Sequence, residues 1–248
     1  MDAPHGDRRI RLVRAASVNA ASRLAMLAER MAKLNAQVGR GVLVTRSQRA
    51  LREASTQFDR GLAEINALAL PAELREDYRL LRVLWDEYRP LALQVPTAEA
   101  GRKLAERAEE VSWIATKGAR MMHGEGHTRA GELVMAAGGA RAAAERLGKL
   151  HLQRGWALPA NGAAREVKLA EGEIFLALAQ LKSVPETDED AAAALRMAES
   201  QMAFLRQAVE RLGGGKDRAT QLDHIAKSSD HIAETLDRIA ERYETAPG

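Results

Sequence analysis

The chain contains a copy of itself, and that limits its folds more than any other feature. Residues 18–39 laid over residues 134–155, 116 positions on, agree at ten of 22 positions. Alanines in that match carry little weight, because any alanine-rich helix shares them. Glu29-Arg30, Lys33-Leu34, Gln37 and Gly39 carry more, since they recur as Glu145-Arg146, Lys149-Leu150, Gln153 and Gly155. Polar residues repeated at fixed spacing are not a matter of composition. The same offset sets Phe58 on Ile174, Leu62 on Leu178 and Ile65 on Leu181, so the register survives the loop between them. A tandem duplication of a unit of about 115 residues follows.

Each unit is long enough to bury a helical core unaided. The chain has no cysteine, which excludes disulfides and zinc-thiolate sites and leaves the compartment open. Alanine, leucine, arginine and glutamate dominate, aromatics make up 4 %, and no stretch alternates at period two. This is a helical composition.

The net charge of +3 matters less than its distribution, because lysine and arginine alternate with acids throughout. Arg8, Arg9, Arg11 and Arg14 come nearest to a basic cluster, but Asp7 stands beside them and no aromatic is interleaved. They read as a solvated or juxtamembrane-like helix face, and no nucleic-acid partner is expected. No apolar run of 18 residues is present, so no transmembrane helix is expected. Met1 to Asp7 lack the apolar core of a secretory signal. A cytosolic protein and an exported one without its leader both fit.

Apolar steps of three and four mark eight helices, four in each half. In the first half the stripes are Leu24, Leu27, Met31, Leu34, Val38; Leu51, Phe58, Leu62, Ile65; Leu74, Tyr78, Leu81, Trp85, Tyr88; and Leu104, Val111, Ile114, Met121. The second half repeats the plan, and its last two helices carry near-heptad seams from Leu195 to Leu212 and from Leu222 to Tyr243. Breaks fall at Gly39 and Gly41, Leu70-Pro71, Pro96-Thr97, Gly155 and Pro159, Pro185, and Gly213-Gly214-Gly215. Pro90 lies inside the third pattern and predicts a kink or an early end. The glycines of His123-Gly124-Glu125-Gly126 predict at least a bend between the halves. Short connections make neighbouring helices antiparallel, so the expected fold is all-α: two tandem up-down-up-down four-helix bundles, residues 1–123 and 124–248.

The segment from Val18-Asn19 through Ser22-Arg23, Ala25-Met26-Leu27 and Glu29-Arg30-Met31 to Lys33 resembles the first-helix signature of the type IV pilus methyl-accepting chemotaxis transducer N-terminal domain. That family includes the sensor domains of nitrate/nitrite sensor kinases. Trp85 and the run from Ile225 through Ser229, Ile232 and Leu236 to Tyr243-Glu244 are similar to its later helices. The resemblance implies two copies of an extracytoplasmic, periplasmic sensory bundle that binds a small ligand. In the nitrate-sensing relatives an arginine of the first helix binds the anion between two first helices. That position is Ala25 in the first copy and Arg141 in the second, and Met135, Ala142 and Ala144 depart from the signature. Arg23 cannot replace Ala25, because two helical steps turn a side chain by about 200°.

Arg141, with Gly138 and Gly139 to admit a close helix, is therefore the candidate ligand-binding residue. A planar, always-charged fork suits a planar oxyanion. The competing reading is an exposed arginine paired with Glu145 one turn on. Arg30 and Arg146, with Lys33 and Lys149, read as edge residues whose stems cover apolar surface while their heads stay wet. His123, Glu125 and His127 lie in a glycine-rich connector without zincin spacing, and His224 and His231 read as a surface pair, so no metal site is expected. No P-loop, dinucleotide fingerprint or nucleophile elbow occurs, so neither catalysis nor a cofactor is expected. The reading is a non-enzymatic sensory protein that binds a small molecule, with a nitrate-like oxyanion as candidate. It would act in signal transduction or chemotaxis through a membrane receptor or other protein partner, with a homodimer also open. The alternative is a helical adaptor for another protein whose ligand site has decayed.

Overall fold

The computed structural model describes residues 5–159, 163–184, 186–212 and 217–245, with side chains from Ala15 onward. Pro185, Gly213 to Gly215 and the side chains of Arg8, Arg9, Arg11 and Arg14 lie outside the described residues. The fold is all-α. Among the described residues the helices are α1 (His5–Gly39), α2 (Val44–Asn66), α3 (Ala72–Leu93), α4 (Ala98–Gly126), α5 (Arg129–Gln153), α6 (Ala164–Lys182), α7 (Glu189–Leu212) and α8 (Arg218–Thr245). Among these residues extended pairing is limited to one bridge, Arg154 with Leu158. Among the described residues no helix is long and apolar enough to cross a membrane.

Capping explains several starts. The Thr97 hydroxyl accepts from the Ala100 N–H at 3.1 Å, Thr128 accepts from Gly131 at 3.0 Å, and the Asp188 carboxylate accepts from Ala191 at 2.9 Å. Each satisfies an N–H that the first turn leaves without a partner. His127, at φ 37°, breaks the backbone between α4 and α5, which are therefore two helices. Pro90 does not end its helix: α3 runs on to Leu93, and the Gln94 N–H still reaches the Pro90 carbonyl.

The helices of each half pack alike. α1 lies on α2 and α4, and α3 lies on α4; α5 lies on α6 and α8, and α7 lies on α8. Most residues of the predicted stripes are buried, from Leu51, Phe58, Leu62 and Ile65 in α2 to Leu222, Ile225, Ile232 and Leu236 in α8. Val38, Val209 and Leu212 at helix ends are only partly so, and in α4 Met122 faces the core in place of the expected Met121. The halves meet where α1 packs against α5. These two helices run parallel: Ser22 faces Gly138, Lys33 faces Gly148, and Gly39 faces Trp156, so positions 116 apart stay level. One apolar core runs from Phe58 and Trp85 through Leu24 and Leu147 to Leu236 and Tyr243.

Two adjacent glycines of α5 and a third one have different reasons to be glycine. A Cβ on Gly138 would lie 2.5 Å from Ser22 Oγ, and one on Gly148 would meet Ser229 and lie 2.8 Å from Lys33 Cδ. Gly139 faces open space instead, so it does not admit a neighbouring helix as the sequence suggested. Gly148→Ala is expected to cost about 1–3 kcal/mol through overpacking. Gly139→Ala is expected to stabilise the helix by about 0.5–1 kcal/mol. Urea unfolding of the two variants checks both signs.

Candidate functional site at the seam of the two first helices

Most of the polar residues that betray the duplication are buried where α1 meets α5. Glu29, Lys33, Glu145 and Lys149 are each 0–1 % exposed. Lys33 of the first copy pairs with Glu145 of the second, and Lys149 of the second pairs with Glu29 of the first at 2.8 Å. The pairing is reciprocal, as in a two-fold symmetric dimer, but both partners belong to one chain. Each lysine has a second acid from the last helix of the other half: Asp230 of α8 at 2.6 Å from Lys33, and Glu109 of α4 at 3.7 Å from Lys149. Burial alone would pull the Lys33 ammonium down, but Asp230 and Glu145 outweigh it and hold it above the usual range. Burial pushes Asp230 up, and Lys33 with Arg30 and Arg46 more than reverses this, leaving it low. Burial also raises Glu145, against the pull of Lys33 and Arg30. Sequence reasoning set the heads of Lys33 and Lys149 in water, and the structure corrects this. Arg30 and Arg146 do stand at the edge, with side chains 23 % and 26 % exposed.

Arg141 lies at the same seam, fully buried. It is neither exposed nor paired with Glu145. Its guanidinium donates to Asp237 of α8 and, at 3.0 Å, to Ser22 Oγ of α1, while its buried Nε has no partner among the described residues. Burial pulls its pKa down, with Asp237 opposing and Arg23 adding to the fall. Asp237 is shared: Arg23 NH2 reaches the same oxygen at 2.8 Å and also Glu241 at 2.8 Å. Burial would raise the Asp237 carboxyl, but Arg141 and Arg23 together hold it low and ionised. Gly138 lies against Ser22, and so brings α1 close to the guanidinium.

Two clefts flank the seam. The first, about 500 Å³ between α1, α2 and α8, has Arg23, Arg30, Asp237 and Glu241 on its walls and Leu24 and Leu27 at its base. Arg141 stands directly behind Asp237. The second, about 650 Å³ between α4, α5 and α6, occupies the equivalent place in the other half, with Trp113, Gly139 and Arg146 on its walls. Sequence reasoning missed Asp237, Glu241 and Trp113. Asp237 and Glu241 sit four apart on the last helix, a signal that needed only the guess that an acid there would face an arginine.

His123, in the last turn of α4 and not in a loop, meets His127, just after the helix, edge to face at 5.9 Å. Among the described residues no group of three histidines or acids stands together to hold a metal ion. Comparison with protein-family models, with curated proteins and with solved structures finds no match.

Proposed function

We propose that this chain is a non-enzymatic, sensory-type binding protein that reads a small oxyanion at Arg141 and presents its bound state to a protein partner. In this reading the two sets of four helices are tandem four-helix bundles, divided near residue 123. Their first helices form within one chain the paired seam that the resemblance assigns to two protomers. The resemblance also supplies the extracytoplasmic location and the nitrate-like ligand class.

One observation carries the reading: a guanidinium fully buried on that seam, with an N–H lacking an acceptor among the described residues. A buried donor without a partner costs about 1–3 kcal/mol, and a planar anion taking Nε together with one terminal nitrogen removes that cost. Asp237 is the internal competitor. Its side chain is 31 % exposed in the first cleft, and Arg23 holds the same oxygen, so it keeps a counter-ion when it leaves Arg141.

Asp237→Asn is therefore expected to bind nitrate or nitrite at least tenfold more tightly than the wild type, about 1.4 kcal/mol. Arg141→Met is expected to abolish binding. A thermal-shift titration at constant ionic strength reads both, because ligand at 100 times its dissociation constant adds about 2.7 kcal/mol of stability. No shift in Asp237→Asn with any small oxyanion overturns the proposal. The adaptor reading draws on a different observation, the exposed Leu176, Met197 and Phe204 on α6 and α7. It becomes the better one if those titrations are flat and Leu176→Glu abolishes capture of a partner.

A further inference from the structure

We infer that the cleft between α4, α5 and α6 is a second binding site, for a small aromatic carboxylate whose ring lies on Trp113 and whose acid group meets Arg120. The inference is independent of the anion at Arg141.

It starts from the internal symmetry. Glu109 takes toward Lys149 the place that Asp230 takes toward Lys33. In that register Trp113 corresponds to Glu234, Thr116 to Asp237 and Arg120 to Glu241, while Gly139 of α5 corresponds to Arg23 of α1. In the first cleft, Arg23, Asp237 and Glu241 form a closed ion cluster. Gly139, Thr116 and Arg120 replace it in the second, and no cluster forms. The second cleft is the roomier of the two, and its size is that of small-molecule pockets.

Its chemistry has changed as well. Trp113 is 65 % exposed and Leu169 54 %, and both line the cleft, with Met121 beside them. Trp85, by contrast, is fully buried in the core. A large aromatic left in water beside a recess forfeits apolar burial that a flat ligand restores, and ring stacking adds about 0.5–1.5 kcal/mol. Trp113, Thr116, Lys117 and Arg120 form one stripe of α4, so a cation stands one and two turns beyond the indole. Lys117 is held by Asp77 at 2.7 Å, whereas Arg120 has no ion pair among the described residues. Of the acids on the walls, Glu29 and Glu109 face Lys149 and Glu173 faces Arg146. Glu166 remains, in the first turn of α6 at the opposite end from Arg120. The charge left to a ligand beside Thr116 and Gly139 is thus positive.

Gly139 makes the test clean. A Cβ there meets nothing within 4 Å, so a leucine side chain grows into the cleft and not into the protein. Calorimetric titration with 2-naphthoate, its primary amide and the corresponding naphthylmethylamine, on the full chain, reads the site. The acid is expected to bind the wild type more tightly than the amide, and the amine least. Arg120→Gln is expected to weaken the acid about tenfold and leave the amide unchanged, while Trp113→Ala weakens both. Gly139→Leu is expected to abolish binding of the acid without lowering Tm, and Arg141→Met is expected to leave it intact. The inference is overturned if wild type does not bind the acid, if Gly139→Leu binds it as wild type does, if Arg141→Met loses it, or if the amine binds best.

Discussion

Replacing Lys33 by methionine is expected to remove about 3–5 kcal/mol of stability, the loss that follows when one partner of a buried ion pair is deleted. The magnitude comes from what stays behind. Glu145 is fully buried and Asp230 nearly so, and both lose the ammonium that justified their charge. At about 2–4 °C per kcal/mol for a chain of this length, Tm falls by roughly 6–20 °C. Urea unfolding at neutral pH measures the loss, and a change below about 1 kcal/mol would refute this account of the seam. Neutralising the acids as well, in Lys33→Met with Glu145→Gln and Asp230→Asn, is expected to recover most of it, because the cost lies in uncompensated charge. Lys149→Met should cost less, since Glu29 is then the one fully buried acid stranded, and Glu109 is 59 % exposed. Lys103→Met breaks a pair lying in solvent and is expected to leave stability where it is.

The same groups set the response to pH. The folded pKa of Lys33 is raised, so its contribution is fully present below the ordinary lysine value of 10.5 and is lost as pH rises through the folded value. Asp230 and Asp237 are depressed, so their contributions hold above the ordinary 3.8 and are lost as pH falls through the folded values. Glu145 is raised and works the other way: its burial favours the fold most below 4.5, and that advantage fades as pH rises. In Lys33→Met the alkaline loss should be blunted, and the acid loss carried by Asp230 should shrink to what Arg30 and Arg46 still support.

The stripes of α2, α3 and α8 were legible because each helix has one buried face, and a period of 3.6 reports one face. α5 defeated that signal. From Leu147 to Gln153 every residue is buried, charged ones included. A helix buried on all sides has no polar face to give a period. Lys33 and Lys149 looked wet for a related reason: the acid that neutralises each comes from the other copy, so reading one copy at a time finds a lysine with nothing opposite. Arg141 had Glu145 one turn away, and local spacing favoured that pair. The fold spends Glu145 on Lys33 and Arg30 and gives Arg141 to Asp237, 96 residues further along. The second cleft was illegible altogether. Its meaning depends on aligning α4 with α8, and the repeat there is too diverged to show that register without the ion pairs.

Trp85→Ala is the second large effect, expected to cost about 3–5 kcal/mol. The indole is fully buried, stacks on Phe58 at a centroid distance of 4.0 Å and donates to Asp59 Oδ1 at 2.8 Å. Removing it leaves a large cavity between α2 and α3, far from α7. What makes the variant informative is how far the loss travels. The core is continuous from Trp85 through α1 and α5 to α8, and the seam adds reciprocal buried ion pairs that neither half can satisfy alone. Separating the halves would expose that apolar contact and strand Lys33, Glu145, Glu29 and Lys149, so the halves should unfold together. Native-state hydrogen exchange should then show the slowest amides of α7 and α8 losing as much protection as those of α2 and α3. Wild-type protection in α7 and α8 alongside a loss in α2 and α3 would mean that the halves unfold independently. In that case a signal bound at the seam has no mechanical route from one half to the other.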